Sequence, residues 1–562
     1  ALDRFGLPLP LAEMGWQVYM AYQRGLAYRG AVDFQDLIRL AVKALEQDER
    51  YLSRLQYRWK YILEDEAQDS SQLQETILRK LAGSAQNWVR MGDPNQAIYE
   101  TFTTAKPEYL RAFMTERGVT ARELPNSGRS TKSIIRLANA LIDFSARHPS
   151  VQVQAKQALQ PPKIEPTLKG DPQPNPPDAP DQVAIRMEDY TPEAEIEAVA
   201  RSAKHWLLAN ADKTLAILVP RNDRGALMAA ALKRQGVEVV ELLRSTSSTR
   251  ETAGALALIF DHLSQPINAP SLAAVYTVWR RDDRDDADEK PRLQATLEAL
   301  KRCKQVEDFV QPQPDRDWLA TDGDVLALME QDEVIAERLV LFRALLQRWH
   351  KAALLPVDQL ILTLAQDLFS VAADLAIAYS LAVLLRRDSE THPEWRLPQF
   401  KDELTQIARN KRRVTGMSAE DSGFDSALHR GKATVATLHR AKGLEWDRVY
   451  LTSVNNYDFP SNEPQDSFIS EKWFVRDGLN LQAEALAQLK LAHDPLGFDY
   501  QEGIATEEAR IDYVAERLRL LYVGMTRARH DLIITWNTGR DGKKQPATPL
   551  IALQAFWEQQ QK

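Results

Sequence analysis

The sequence predicts an α/β protein in which parallel sheets carry the functional residues and a helix-rich region interrupts the chain. Short apolar runs alternate with helical patterns from Val183 to Gln235, which is typical of a parallel-sheet domain. The stretch from about Ser264 to Gly423 is instead helix-rich and contains several tryptophans. The length of 562 residues allows roughly four domains.

Composition restricts the class of protein further. The net charge of −8 argues weakly against a general coating of nucleic acid, but 71 Lys and Arg leave enough cations for a local basic track. The single cysteine, Cys303, cannot form an internal disulfide, which fits a reducing compartment, so we expect a cytoplasmic protein. The most apolar stretch, Leu360 to Leu385, contains Asp367 and Asp374. It therefore predicts a buried or amphipathic helix, and we expect no membrane association.

The stretch around Glu66 organises the rest of the chain. Tyr61 to Leu63 predicts a short buried strand, and four acidic residues follow within six positions. Crowded carboxylates repel one another unless a cation lies among them, although a solvated acidic surface would explain these residues equally well. The segment resembles motif II, the Walker B strand, of the UvrD/Rep family of superfamily 1 helicases. The matching residues of its Asp-Glu-x-x-Gln-Asp pattern are Asp65, Glu66, Gln68 and Asp69.

The segment before motif II fits the same family. Leu11 to Tyr28 predicts a helix, and Val32 to Ile38 is similar to the Asp-Phe-x-Asp-Leu segment that precedes motif II in UvrD-like helicases. Asp33 is a candidate helix N-cap, and a capped amphipathic helix explains these residues without a catalytic role.

A second segment, Arg90 to Tyr99, resembles motif III of this family, Gly-Asp-x-x-Gln-x-Ile-Tyr. By itself, Gly-Asp-Pro-Asn is a turn signal. The resemblance implies that Gln96 senses the terminal phosphate of ATP and that a DNA base stacks on Tyr99. The usual Arg-Gly-Ala continuation is missing, and Phe102 is the candidate for the second stacking ring, shifted by one position.

The segment Leu124 to Ser130 resembles motif IV, Asn-Tyr-Arg-Ser, with one extra residue and glycine in place of the aromatic residue. The resemblance implies that Arg129 reaches the ATP phosphates from the second motor domain. The alternative is that Arg129 caps the helix predicted from Thr131 to Phe144.

Motif V is similar to Thr434–Trp446, which contains Thr-Leu-His-x-x-Lys-Gly-Leu-Glu. The resemblance implies that His439 and its neighbours, including Lys442, lie near the DNA backbone. It also implies that Glu445 contacts the ATP ribose.

Motif VI is similar to Glu516–Arg529, nearly residue for residue. Packing on a helix explains the apolar members of this segment, but it does not explain Arg527. Phosphoryl transfer needs a cation that meets the charge developing on the terminal phosphate, and an arginine finger contributes ~10³ to 10⁵ in rate. Arg527 is the candidate for that finger.

The resemblance implies two RecA-like parallel-sheet motor domains, the first incomplete, with an inserted helical subdomain. The expected boundaries are 1–30 for the tail of a 1B-like helical subdomain, 31–116 for the C-terminal part of the first motor domain, 117–263 and 431–562 for the two segments of the second, and 264–430 for a 2B-like helical subdomain. Eight prolines between 161 and 180 exclude a continuous helix or central strand there.

Two charged segments of the predicted 2B-like region lack a recognisable chemistry. The acidic stretch Asp282 to Glu289 predicts a solvated surface loop. The basic cluster Arg409 to Arg413 could contact phosphates, but a solvated helix face is the favoured interpretation.

The implied function is an ATP-dependent DNA helicase that moves 3′ to 5′ on single-stranded DNA. Asp65 would hold Mg²⁺ and Glu66 would activate the attacking water, while Gln96, Arg129 and Arg527 would contact the terminal phosphate. The expected partners are single-stranded DNA, single/double-strand junctions and, through the 2B-like subdomain, repair or replication proteins.

One required motif is missing. A superfamily 1 helicase needs a Walker A loop, Gly-x-x-x-x-Gly-Lys-Thr/Ser, to cradle the phosphates. The two Gly-Lys pairs of this chain, at 431–432 and 542–543, are not followed by Thr or Ser. In the family this loop precedes every motif found here, and the sequence opens without Met in what resembles a folded domain. We therefore expect a helicase fragment that is inactive by itself, binds ATP weakly and is poorly stable over 31–116.

Two alternatives stay open. The chain could be a non-hydrolysing DNA-binding or scaffold protein with a degenerate motor, in which Glu66 and Arg527 have no catalytic role. It could also be the motor part of a helicase-nuclease, although no nuclease signature follows Arg529.

Overall fold

The structure is a computed structural model that describes residues 9–98, 106–243, 246–284, 286–409, 411–412, 424–464, 466, 475–476, 478–494 and 497–561. It has a mixed α/β fold, as the sequence predicts. Contacts divide the chain into two units, the first comprising 1–220, 426–433 and 437–562 and the second 221–425 and 434–436. Within the described ranges, no helix is both long and apolar enough to cross a bilayer.

The helices of the described ranges are numbered here in chain order. They are α1 (Pro10–Tyr28), α2 (Phe34–Gln47), α3 (Glu49–Arg58), α4 (Gln72–Ala82), α5 (Pro107–Met114), α6 (Lys132–Ala146), α7 (Val151–Lys156), α8 (Pro192–Ala209), α9 (Asn222–Arg234), α10 (Ser247–Ser264), α11 (Ala269–Trp279), α12 (Glu289–Lys301), α13 (Val306–Val310), α14 (Trp318–Thr321), α15 (Gly323–Gln331), α16 (Glu333–Ala352), α17 (Val357–Leu368), α18 (Ala372–Thr391), α19 (Leu397–Ala408), α20 (Leu481–His493), α21 (Ile504–Met525) and α22 (Thr548–Gln561).

The strands are short. They are β1 (Ile62–Glu64), β2 (Trp88–Arg90), β3 (Asn126–Ser127), β4 (Glu165–Pro166), β5 (Val183–Ile185), β6 (Leu215–Val219), β7 (Val239–Leu242), β8 (Ala433–Thr437), β9 (Trp446–Leu451), β10 (Val475–Arg476), β11 (Leu479–Asn480) and β12 (Ala528–Ile534).

Parallel strands dominate the first unit. Four of them lie side by side in the order β5, β12, β9, β6, with Leu532 opposite both Val183 and Val449. Every residue of β6 is buried, as expected for a strand of a parallel sheet that is covered on both faces. A separate parallel pair joins β1 to β2, with Ile62 opposite Trp88. The alternation of strands and helices therefore produces the predicted parallel sheet.

Capping residues define where the helices near motif II begin. The Asp33 side chain accepts from the Asp36 backbone N–H at 2.7 Å, and the Asp36 carboxylate accepts in return from the Asp33 N–H. Ser71 and Gln74 make the same reciprocal pair at the start of α4. These capping boxes satisfy N–H groups that have no partner within the helix, and they confirm Asp33 as a helix N-cap.

Helix α21 packs against several other elements of the first unit. Its C-terminal half is buried on every face, from Tyr513 to Met525, as in a helix that is enclosed by protein. It packs against α6, α7, α20 and the turn Pro94–Gln96. The helix therefore connects the motif VI residues to the motif III turn.

The proline-rich segment, 161–180, contains no α-helix, and the continuous helix that its prolines exclude is indeed absent there. Its one short strand, β4, pairs in parallel with β3, with Asn126 opposite Glu165. The Asn175 side chain also donates to the backbone oxygens of Ser127 and Ser130, at 2.6 and 2.9 Å. The segment thus packs beside the motif IV loop.

The second unit is mainly helical and has its own core. Aromatic rings fill its centre, where Tyr276 packs edge-on against Phe342 with ring centroids 5.0 Å apart. Helices α10 and α19 lie along one another, and a Cβ at Gly254 would lie 3.6 Å from the Ala408 side chain. A helix-rich second region was predicted, and the structure has one.

Two sequence expectations for this unit were wrong in part. The apolar stretch from Leu360 to Leu385 forms two helices, α17 and α18, rather than one. The acidic stretch after Arg281 is not simply a solvated loop. Asp283 is buried and pairs with Arg280 at 2.7 Å and with Arg338 at 3.5 Å, so part of this charge is structural.

The basic cluster near Arg412 has partners within the protein. The Arg412 guanidinium lies 2.8 Å from Asp388 and also pairs with Glu403. Asn410 and Arg413 lie outside the described residues. Because its charge is balanced internally, Arg412 is a poor candidate for a phosphate contact.

A buried histidine in the second unit predicts acid sensitivity. His262 is fully buried, its Nδ1 lies 2.9 Å from Ser271 Oγ, and burial, with His350 nearby, lowers its pKa to about 4. A depressed pKa means that the unfolded chain takes up the proton first, so stability falls as pH falls from about 6.5 towards 4. The loss between pH 7 and about pH 5 is about 2 kcal/mol, at ~1.36 kcal/mol per pKa unit.

We expect His262→Asn to remove that part of the pH dependence. Urea unfolding at the two pH values, followed by tryptophan fluorescence, measures it. His205→Asn is the matched control because the His205 side chain is exposed on α8. Equal pH dependence in the wild type and His262→Asn would contradict the assignment.

Candidate functional site

The site forms where β1 and β2 end. The Met91 N–H donates to the Glu64 carbonyl at 2.8 Å, and the Ala67 N–H donates to the Met91 carbonyl at 2.9 Å. The carboxyl ends of parallel strands meet at one edge of a sheet, which is where α/β proteins usually bind ligands. The loops of motifs II and III therefore lie side by side.

Glu64 does not belong to the acidic loop, which corrects the sequence interpretation. Strand β1 runs from Ile62 to Glu64, one residue later than predicted, and the side chain of Glu64 is buried. The prediction of a buried strand was wrong, because Tyr61 and Leu63 are 76% and 70% exposed. Arg90 Nε lies 2.8 Å from its carboxylate, and the Ser70 hydroxyl donates to it at 2.6 Å. Three carboxylates remain in the loop.

Two of these carboxylates, Asp65 and Glu66, are exposed. The Glu66 N–H donates to Asp65 Oδ1 at 2.9 Å, and the buried Gln68 amide donates to Glu66. Glu66 has a backbone φ of +50°, in the left-handed region that non-glycine residues rarely adopt. Such strain is concentrated at functional positions, and here it turns a carboxylate outward from the strand end.

Lys442 joins motif V to the motif II loop. Its Nζ lies 2.5 Å from Asp69 Oδ2 and 3.3 Å from Glu66 Oε2, and its side chain is 8% exposed. Burial raises the pKa of Asp69, and the Lys442 ammonium opposes that shift. The family resemblance implies that Lys442 contacts DNA, and this role stays a prediction. In the structure its ammonium lies beside Glu66, the predicted general base.

Arg527 and Gln96, the predicted phosphate sensors of motifs VI and III, touch each other. Arg527 Nη2 donates to Gln96 Oε1 at 3.1 Å, while Gln96 Nε2 donates to Asp93 Oδ2 at 2.9 Å. Arg527 is 1% exposed, and its Nε donates to the Val523 carbonyl at 3.0 Å. Burial is the main cause that lowers the pKa of Arg527. Its guanidinium is therefore held in one orientation.

Arg129 pairs with Glu445. Its Nε lies 2.7 Å from Glu445 Oε2, and Arg529 approaches the other carboxylate oxygen at 3.8 Å. Helix α6 begins after Thr131, whose side chain makes no cap bond, and the Ser133 N–H donates instead to Asp178 Oδ1 at 2.7 Å, so Arg129 does not cap it. The two residues predicted to contact ATP phosphate and ribose are thus neighbours.

The remaining predicted DNA contacts are Tyr99, Phe102 and His439. Tyr99 and Phe102 lie outside the described residues. The His439 ring is largely buried, with Nε2 3.8 Å from Glu516 Oε1, and burial lowers its pKa. These DNA-contact assignments stay predictions.

Sequence reasoning missed Arg519, a buried residue of α21. Its Nε donates to the Ala97 carbonyl at 2.6 Å, directly after Gln96. Arg519 of α21 and Arg527, which follows this helix, therefore both contact the C-terminal end of the motif III turn, at Ala97 and Gln96. Arg519 lies within the segment that resembles motif VI. Nothing in that segment indicates that its side chain contacts a residue more than 400 positions earlier in the chain.

A cavity of about 1160 Å³ adjoins these residues. Gln96, Asp93 and Arg129 line it, whereas Glu66 and Arg527 do not. Its volume suffices for a small-molecule ligand, since such pockets typically measure ~300 to 1,000 Å³.

The donor set bears on Mg²⁺. Across the described ranges, no group of three His, Cys, Asp or Glu side chains forms a metal-binding cluster. Mg²⁺ commonly takes only about one or two carboxylates and completes its shell with water and substrate phosphate. The Asp65 carboxylate fits that role because it is exposed to solvent. Its Oδ1 atom makes only a local hydrogen bond, which it accepts from the Glu66 N–H.

Two family models match this chain. One is the UvrD/REP helicase N-terminal domain, over residues 10–117, and the other is the UvrD-like helicase C-terminal domain, over residues 388–539. Together they contain all the motifs described above except motif IV.

Three proteins illustrate what this chain is similar to. The RecBCD enzyme subunit RecB of Haemophilus influenzae is 23% identical over 538 residues, which is 89% of this chain and 38% of that protein. DNA helicase II of Escherichia coli strain K12 is 33% identical over 25% of this chain and 19% of its own length. The ATP-dependent DNA helicase PcrA of Leuconostoc citreum is 33% identical over 23% of this chain and 17% of its own length. This chain therefore spans less than half the length of each.

Gly92 offers a test of how the loop is supported. A Cβ at this position would overlap the buried Gln68 Oε1, which accepts from the Asp93 N–H at 3.0 Å, and would lie 3.1 Å from the Ala67 backbone nitrogen. Gly92→Ala should therefore displace Gln68 and destabilise the loop by about 1 to 3 kcal/mol, the usual cost of overpacking. Urea unfolding measures the loss.

Gly118→Ala is not a neutral control because of its positive φ, so Gly323→Ala, in open space, serves instead. Equal stability of the two variants would contradict the proposed packing.

Proposed function

This chain belongs to the UvrD/Rep-like family of superfamily 1, and we propose that it forms the motor of an ATP-dependent DNA helicase. Relatives with helicase names support this proposal over parts of the chain. One contact carries most of the argument: the buried Arg527 guanidinium meets Gln96, at the edge of the sheet that also bears Glu66.

The proposed chemistry is hydrolysis of the terminal phosphate of ATP. Bound Mg²⁺ would supply positive charge at the phosphate oxygens, with Asp65 as its protein ligand. Glu66 would accept a proton from the attacking water, for which its exposed carboxylate is suitably turned outward. Gln96, Arg129 and Arg527 would exchange their present partners for phosphate oxygens.

The cations that would contact ATP belong to Arg129 and Arg527. The carboxylates that would hold Mg²⁺ and activate water belong to Asp65 and Glu66. Closing these segments around ATP would complete the site, and release of product would let them separate. We propose that this cycle moves single-stranded DNA past Tyr99, Phe102, His439 and Lys442. The family resemblance implies 3′ to 5′ movement and action at single/double-strand junctions.

The domain organisation that we propose follows the motifs. Residues 31–116 would belong to one RecA-like domain, and 117–263 with 431–562 to the other. The segments 1–30 and 264–430 would be helical subdomains, the second a surface for repair or replication proteins. The 562 residues contain no Walker A loop, so we propose that further residues supply one and that this chain alone is inactive.

Two alternatives have some support. A non-hydrolysing DNA-binding or scaffold protein would explain the absence of the Walker A loop. A subunit of a larger enzyme is favoured by the similarity to the RecBCD enzyme subunit RecB, which extends over 89% of this chain. The helicase proposal accounts better for the contact between Arg527 and Gln96, because a degenerate motor needs no ordered phosphate sensors.

ATP hydrolysis stimulated by single-stranded DNA tests the proposal. The protein to measure is this chain extended through its coding sequence to a Walker A loop, beside the 562 residues alone. We expect turnover only in the extended protein, and Glu66→Gln should reduce it about 10² to 10⁴-fold because the general base is lost.

Glu193→Gln is the matched control, since Glu193 is exposed at the start of α8 and lies outside the site. Equal turnover in Glu66→Gln and Glu193→Gln would refute the assigned base. No turnover, with binding to single strands intact, would favour the scaffold alternative.

A further inference from the structure

Cations and aromatic rings concentrate on the surface that precedes motif II. Within twelve residues of α3 and the link to β1 there are four of each, namely Arg50, Arg54, Arg58 and Lys60 with Tyr51, Tyr57, Trp59 and Tyr61. We call this set the α3 patch. All eight side chains are exposed. Its positive charge stands out in a chain whose net charge is −8.

The three arginines form one line along the helix. They are spaced four residues apart, so they share a face. The opposite face holds the partly buried Leu52, Leu55 and Gln56, and Gln56 Nε2 donates to the Lys80 carbonyl at 2.8 Å. The arginine face therefore points to solvent.

This arrangement works against helix stability. Like charges at i and i+4 each destabilise a helix by about 0.2 to 0.5 kcal/mol. Over the described ranges, no carboxylate lies within ion-pair distance of any of the four cations of the α3 patch. Surface arginines elsewhere in the first unit, such as Arg79 with Glu75 and Glu116, do have such partners. The α3 patch thus keeps its charge available.

The aromatic rings add a second property. Tyr57 is 77% exposed and Tyr61 76% exposed, so most of each side chain is open to solvent. Lys60 Nζ lies 4.3 Å from the Tyr57 ring centroid, and the Arg54 guanidinium lies 5.6 Å from that of Tyr51. Cations pair with phosphates, and exposed rings stack with unpaired bases, which a duplex does not offer.

We propose that the α3 patch binds a single-stranded polynucleotide. Arg50, Arg54 and Arg58 would follow the phosphates, and Tyr57 and Tyr61 would stack with bases. The patch lies on the amino side of β1, whereas Asp65 and Glu66 follow its carboxyl end, so it is separate from the nucleotide site. It adds a contact surface to the proposed helicase, but the binding itself requires no hydrolysis.

Fluorescence anisotropy tests this proposal without nucleotide. The probes are labelled oligothymidylate and oligouridylate of about 20 nucleotides and a duplex of the same length. Salt is varied from about 50 to 200 mM. The patch variant is Arg50→Gln with Arg54→Gln and Arg58→Gln. The matched control, Arg316→Gln with Arg387→Gln and Arg540→Gln, removes the same charge from exposed positions elsewhere.

The patch variant should bind both single strands at least tenfold more weakly than the control. Its log–log salt dependence should be shallower by about 2, because roughly 0.7 is lost per phosphate contact to a single strand. Tyr57→Ala with Tyr61→Ala should weaken single-strand binding by about tenfold or more with an unchanged salt dependence, since stacking is lost. Thermal unfolding at the wild-type temperature would confirm that the variants fold.

Three results would overturn the proposal. They are equal binding by the patch and control variants, unchanged binding after loss of both tyrosines, and wild-type binding to duplex as tight as to single strands. Lack of ATP turnover would not bear on this surface, so failure of the helicase proposal and failure of this one are distinguishable.

Discussion

The candidate site depends on buried cations, each of which needs a carboxylate or several hydrogen-bond acceptors as partners. Lys442 and Arg527 are almost fully enclosed, and an unpaired charge in such a place costs several kcal/mol. Lys442 pairs with the Asp69 carboxylate, which follows β1, whereas Arg527 donates to neutral acceptors, among them the Gln96 side chain, which follows β2. The pairing therefore fixes how motifs V and VI lie against motifs II and III.

Helix α21 makes this pairing rigid. It is buried over its C-terminal half, and it presents Arg519 to the Ala97 carbonyl while Arg527 follows its last turn. A rigid helix holds both groups at a constant separation. Any movement of the motif III turn relative to α21 would break the contacts of Arg519 and Arg527 together. The proposed coupling of ATP turnover to motion would use such a joint response.

Much of this could be predicted from the sequence, because local patterns determine it. The presence of a strand before Glu66, the Asp33 cap and the alternation after Val183 follow from periodicity and capping chemistry, whereas the predicted burial of that strand was wrong. The motif residues Gln96 and Arg527 were found by their resemblance to a family. The sequence could not show which side chains pair when their residues lie far apart in the chain. Nothing local shows that Lys442 reaches Asp69, or that Glu64 turns back to Arg90 instead of joining the acidic loop.

A one-residue shift explains the main error in the site. Because successive side chains of a strand point to opposite faces, extending β1 to Glu64 moves that carboxylate from the loop to a buried ion pair. The patch on α3 illustrates the opposite case. Its spacing was readable from the sequence, but only the structure shows that the arginines face solvent without carboxylate partners in the described ranges.

The central claim is that the motif II loop and the motif V cation form one coupled site. A double-mutant cycle of Asp69→Asn and Lys442→Met, followed by urea unfolding, measures it most directly. The 2.5 Å contact predicts a coupling free energy of about 1 to 3 kcal/mol. Additivity of the two substitutions to within about 0.5 kcal/mol would contradict the account.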